Sequence, residues 1–107
     1  MVADSVALSK PVRARILVKG SVQGVNYRYR TVQDARKLGI KGVVRNLADG
    51  DVEIFCEAKT KEDLDEFVSG LSRNNFVIVV EQIQVFLEGQ FGYSSHPRQF
   101  SEFGIEY

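Results

Sequence analysis

The chain has 107 residues, 44% of them hydrophobic and 26% charged, which is the composition of one ordinary globular domain with a single core. Fourteen basic residues balance fourteen acidic ones, so the protein as a whole is neither a basic polyanion binder nor an acidic shield. The one cysteine, Cys56, excludes an internal disulfide, and no apolar run suits a signal segment or a membrane span, which makes the cytoplasm the expected compartment.

Residues 1–11 lack periodicity and read as a flexible lead, leaving 12–107 as the domain. Residues 13–19 alternate, with Ala14, Ile16 and Val18 on one face, and predict a strand that Gly20 ends. Asn26 is placed to cap a helix running to about Leu38, with Gly39 as its stop. A strand over 42–47, a tight turn at Ala48-Asp49-Gly50 and a return strand over 51–57 make a hairpin. Val52, Ile54 and Cys56 share one face of the return strand. Thr60 opens a second helix, with Asp63 three positions on and Leu64, Phe67, Val68 and Leu71 forming an apolar stripe. Residues 77–88 predict a strand, 89–101 a loop holding His96 and Pro97, and 103–107 a short last strand. The order βαββαβ, with one apolar face per strand, predicts an α+β ferredoxin-like sandwich: an antiparallel sheet, two helices on one face, and a short C-terminal strand. That fold hosts many activities, so function must be argued from a site.

The candidate site is Gly20-Ser21-Val22-Gln23-Gly24-Val25-Asn26-Tyr27-Arg28, between the first strand and first helix. A loop of this kind can turn successive backbone N–H groups inward, and the helix start adds free N–H groups and a positive dipole end. The backbone of Ser21, Val22, Gln23, Gly24, Val25, Asn26 and Tyr27, with Arg28, is therefore the expected phosphate cradle. It is neither a Walker A loop nor a dinucleotide loop, and an ordinary turn is the alternative. On a helical wheel Arg28 falls within the arc of Val32, Ala35 and Leu38, while Arg30, Gln33 and Lys37 occupy the opposite, solvated face. An inward arginine needs an anionic partner, either a phosphate or an internal carboxylate such as that of Tyr107.

Asn46 is the second candidate. In a split βαβ unit the exit of the first strand and the end of the second lie on one edge, about 9–10 Å apart. An amide there could hold a water against a phosphate in the cradle, or simply serve the turn.

The charge is unevenly distributed. Residues 1–45 hold ten bases and two acids, and residues 46–107 four bases and twelve acids, a pattern that favours a small anionic ligand over a long polyanion. The third strand, Asp51-Val52-Glu53-Ile54-Phe55-Cys56-Glu57, is acidic with one aromatic, unlike the RNA-binding strand of this fold, so no nucleic-acid partner is expected. His96 reads as a solvated loop residue, Cys56 as core, Asp49 and Asp51 as turn residues, and Tyr27 and Tyr29 as packing groups; one histidine makes no metal site.

Two segments, Val18-Lys19-Gly20-Ser21-Val22-Gln23-Gly24-Val25-Asn26-Tyr27-Arg28 and Gly42-Val43-Val44-Arg45-Asn46-Leu47-Ala48-Asp49-Gly50-Asp51-Val52, resemble the signature segments of the acylphosphatase family. The resemblance implies hydrolysis of the anhydride between a carboxylic acid and phosphate. It makes Arg28 the phosphate-binding arginine and Asn46 the residue that orients the attacking water. It also implies acyl phosphate and inorganic phosphate as the small-molecule partners, no metal or organic cofactor, no membrane, and a monomer. Val43 stands where that family usually has an aromatic residue, Ala58 where it commonly has glycine, and Asn26 where glycine is frequent, which bears on loop shape and rate. A catalytically silent domain binding a phosphorylated metabolite would use the same cradle, and only turnover separates the two.

Overall fold

The computed structural model describes residues 10–107, so most of the expected lead over 1–11 lies outside the described residues. Strand β1 (Val12–Ser21) is followed by helix α1 (Tyr27–Lys37), β2 (Lys41–Asn46), β3 (Val52–Ala58), α2 (Lys61–Leu71), β4 (Val79–Leu87) and β5 (Phe103–Glu106). The strands form one sheet in the order β4-β1-β3-β2-β5. The first four are mutually antiparallel neighbours, as expected, whereas β5 adds parallel to β2 and makes the sheet mixed at that edge.

Register follows hydrophobic alternation. Ile16 lies opposite Ile54, and Ile54 opposite Val44, so one face of the sheet is a continuous apolar layer. That face joins Tyr27, Val32 and Ala35 of α1 and Leu64, Phe67 and Leu71 of α2 in a single core. Phe103, fully buried, meets Phe67 edge-to-face at 5.9 Å and seals the β5 side. Thr60 caps α2 by accepting a hydrogen bond from the Asp63 N–H at 3.1 Å.

Three local expectations are corrected. β1 does not stop at Gly20 but runs to Ser21 through a bulge between Lys19 and Gly20. At Gly20 (φ 137°) a Cβ would stand 2.1 Å from the Val79 carbonyl oxygen, so only glycine admits β4 that closely. β4 itself starts at Val79 rather than Val77, because the Asn75 side chain accepts the N–H groups of Val77 and Ile78 and turns residues 75–78 back on themselves. Asn26 precedes α1 in a left-handed conformation (φ 65°, ψ 20°), and its side chain caps nothing.

The sheet's other face is not bare. Residues 89–102 lie over it, with Gly92 against the Phe86 ring and the Gly92 carbonyl accepting from Arg15 at 3.0 Å. No helix of the described residues is long and apolar enough to cross a membrane.

Candidate active site

The register places Val18, Val52 and Asn46 in one row across β1, β3 and β2. Asn46 shares parity with the core residue Val44 and therefore stands on the helix-covered face, beside the loop that leaves β1. Two strand spacings, about 9–10 Å, separate the two chains there.

That loop, residues 22–26, is anchored through Val22, 1% exposed, and through Val25, which packs against the core. The Gln23 side chain fixes it laterally, donating to the carbonyls of Leu47 at 2.7 Å and Asp51 at 2.8 Å. Leu47 directly follows Asn46, so one glutamine ties the cradle to the hairpin that carries the second candidate. The amphipathic pattern gave no sign of this strap. The cue available was a long amide side chain between two glycines, facing a hairpin whose backbone carbonyls need donors.

Gly24 (φ 76°) and Asn26 (φ 65°) both take the left-handed conformation on either side of Val25. Such alternation lets neighbouring N–H groups turn to a common side. Among the described residues, none of the backbone N–H groups of residues 22–29 donates to a protein acceptor; the first bond of the helix start is Arg30 N–H to the Asn26 carbonyl, 3.1 Å. Eight backbone donors are thus uncommitted at the positive end of α1. Ser21, also expected in the cradle, is the last residue of β1 and pairs with Val79, so it belongs to the strand.

Arg28 is half-buried and enters no ion pair or hydrogen bond among the described residues. Its guanidinium lies over the Tyr107 ring, 5.1 Å from the centroid, instead of on a carboxylate. The Asn46 amide is equally uncommitted: its carbonyl oxygen is shielded from solvent and has no donor. An unmet buried acceptor costs about 1–3 kcal/mol unless a water or ligand group supplies the donor.

Several other residues fall differently from their sequence reading. Arg30 is not a solvated charge. It stacks on Tyr27 at 5.0 Å and donates to the carbonyls of Arg73 (2.8 Å), Gly70 and Leu71 (both 3.3 Å), tying α1 to the C-terminal end of α2. Tyr27 is core, 1% exposed, with its hydroxyl donating to the Leu71 carbonyl at 2.8 Å, and burial holds that hydroxyl well above the usual tyrosine range. Tyr29 is exposed. Asp49 serves the turn, accepting from the Asp51 N–H at 3.0 Å, whereas the Asp51 carboxylate pairs with Lys19 at 2.6 Å.

His96 is not solvated either; its side chain is only 6% exposed. The ring sits edge-on to Phe55 (5.3 Å) and Phe100 (5.0 Å), its Nε2 lies 2.9 Å from Glu106 Oε1, and its Nδ1 accepts from the Arg98 N–H. It stands on the face opposite Asn46, within the covering segment 89–102, with both ring nitrogens engaged. Cys56 is buried in the core, and desolvation pushes its thiol up to about 12, far from a nucleophile at neutral pH. Among the described residues no three histidines, cysteines or acids come together as a metal-holding group. A cavity of about 530 Å³ lies under residues 93–100, lined by Arg13, Lys41 and Phe100 among others. It is at the far end of the strands from the cradle, and no cradle residue lines it.

The chain is similar to known proteins over most of its length. The acylphosphatase family model matches residues 14–100. An acylphosphatase of Treponema denticola is 48% identical over 68 residues, covering 64% of this chain and 71% of that protein. One of Borrelia garinii is 35% identical over 95 residues, covering 89% and 98%. The crystal structure of acylphosphatase from Bacillus subtilis superposes with a TM-score of 0.74 at 31% identity, covering 90% of this chain and 99% of that one. The protein described here belongs to the acylphosphatase family of enzymes.

Proposed function

We propose that the chain hydrolyses the carboxyl–phosphate anhydride of small acyl phosphates to carboxylate and inorganic phosphate, using backbone amides and Arg28 to hold the phosphoryl group and Asn46 to orient water. The observation that carries this reading is the run of uncommitted N–H groups over residues 22–29 beside an arginine with no anionic partner.

The chemistry asks little more of the protein. An acyl phosphate leaves a weakly basic carboxylate, so the leaving oxygen needs no proton donor, and the absence of a histidine or acid pair at the cradle is no obstacle. What remains is positioning and charge stabilisation, the main contributions in phosphoryl transfer. Planar Arg28 suits two phosphoryl oxygens at once, and the cradle amides take the remainder. Each charged hydrogen bond contributes roughly 1.5–3 kcal/mol. Asn46, two strands away, offers a free amide to a water in line with the departing acyl oxygen. That water attacks phosphorus, the P–O bond to the acyl group breaks, and the water's protons pass to the phosphate formed and to solvent. Residues 12–107 are the working unit, acting as a cytoplasmic monomer without a metal.

Phosphate release from benzoyl phosphate in excess EDTA tests the reading, with a phosphate monoester as control. Release from the anhydride alone, undiminished by EDTA, is expected. Binding of phosphate without any turnover would make the chain a silent phosphate-binding domain instead.

A further inference from the structure

Catalysis by the cradle fixes the phosphoryl group but leaves open where the acyl group goes, and the strand order answers that. In-line attack requires the water and the departing acyl oxygen on opposite sides of phosphorus. Asn46 sits on β2, and the cradle leaves β1, with β3 between them. The acyl side is therefore the side away from β2, where β1 borders β4 and the turn that leads into it.

That turn reaches the level of the cradle. Val79 lies opposite Ser21, and β4 is antiparallel to β1, so the residues just before Val79 extend past the end of β1 alongside residues 22–26. Ile78 and Val22 are both buried in the same core. Between Asn75 and Ile78 the turn is closed by the Asn75 N–H to Ile78 carbonyl bond at 3.0 Å and by the Asn75 side chain. The side chains left outside are apolar: Phe76 is fully exposed, Val77 56% and Val79 42%. Exposed singly, such residues would be unremarkable, but Phe76 and Val77 are neighbours at one end of the sheet, while Val79, between the core-facing Ile78 and Val80, turns to the other side. No charged residue occurs from Asn74 to Val80, and Arg73, just before it, is held by Asp34 at 2.9 Å. Glu81 follows.

We infer that the Phe76–Val77 turn is the acyl-group subsite, and that it selects acyl phosphates whose acyl part is apolar or aromatic and carries no second negative charge. The inference rests on the proposed roles of the cradle and Asn46. An aryl ring laid on Phe76 removes apolar surface from water, whereas a carboxylate or second phosphate placed there finds no charged partner among residues 74–80. Binding of this kind acts alike on ground and transition states, so it appears in KM.

Kinetics with benzoyl, acetyl and succinyl phosphates on the whole chain and on Phe76→Ser, Val77→Ser and the control Phe91→Ser provide the test. Phe91 is also fully exposed, but it lies in the segment covering the other face of the sheet. Benzoyl phosphate should be preferred over succinyl phosphate by the unaltered protein. The ratio of kcat/KM for benzoyl to acetyl phosphate should fall about five- to tenfold in Phe76→Ser, mostly through KM, and less in Val77→Ser. Phe91→Ser should leave that ratio as it is. An unchanged ratio in both turn variants, or succinyl phosphate hydrolysed as readily as benzoyl phosphate, would overturn the subsite while leaving the hydrolase reading intact. No phosphate release from any substrate by the unaltered protein would overturn both.

Discussion

Two side chains in the site, Arg28 and Asn46, are uncommitted among the described residues. Arg28 is free of carboxylates even though Arg13, Arg15, Lys19, Arg36 and Arg45 each have one. Asn46 retains a shielded oxygen with no donor. Their expected roles differ, and so should their defects. Arg28→Gln keeps a polar side chain but loses the charge and the fork, and should weaken inhibition by inorganic phosphate about a hundredfold or more. Asn46→Ala should instead lower kcat about a hundredfold or more, with phosphate inhibition within about threefold of the original. Steady-state kinetics with phosphate as inhibitor separates them; normal turnover in Asn46→Ala would remove that residue from the mechanism. Both residues stood out as candidates in the sequence, Arg28 from helical phase and Asn46 from topology, and the structure leaves both side chains without a charged or hydrogen-bonded protein partner among the described residues. Asn26 was legible only as a polar residue before a helix. Capping and left-handed backbone are both asparagine habits, and the choice between them depended on the direction from which the loop enters α1.

At the scale of elements, the cradle depends on how β1 and β4 meet. The bulge between Lys19 and Gly20 shifts the register in which β1 runs on to Ser21, and the Val79 carbonyl occupies the space a Gly20 side chain would need. Gly20→Ala must either push β4 away or flatten the bulge, at a cost of about 2 kcal/mol or more in unfolding free energy. Phosphate affinity should fall with it, because the loop springs from that bulge. Urea unfolding together with phosphate inhibition measures both, and an alanine variant of full stability would show that the close approach is not required. Alternation predicted β1 and the core faces because period-two burial is local in sequence. It could not show that β1 continues through Gly20, since bulges are set by the partner strand. Nor could it show the two straps, Gln23 to the hairpin and Arg30 to the end of α2. Both join residues remote in sequence through backbone carbonyls, which carry no sequence signature.

Across the whole molecule the uneven charge of the sequence resolves into cross-strand pairing. Bases of β1 and β2 face acids of β3 on the sheet side away from the helices. There Glu53, only 4% exposed, accepts from Arg15 at 2.7 Å and from Arg45 at 2.8 Å. The uneven charge favoured a small anionic ligand; in the structure four of the ten bases of residues 1–45, Arg13, Arg15, Lys19 and Arg45, are paired with acids on that face, and Arg28 takes no part in the pairing. His96 and its neighbours were unreadable for the same reason as the straps: a long segment without periodicity gives no hint of the surface it covers. The fold class was legible because it follows from short-range pattern, and the two signature segments because they resemble those of the family; by spacing alone the cradle could have been an ordinary turn. The measurement that bears most directly on the whole account is a titration of the protein with inorganic phosphate, followed through its backbone amide resonances. Saturable shifts should concentrate in residues 22–29 and in the Arg28 side chain, and leave residues 89–102 unmoved. Saturable binding that shifts the cavity under residues 93–100 and spares residues 22–29 would contradict it.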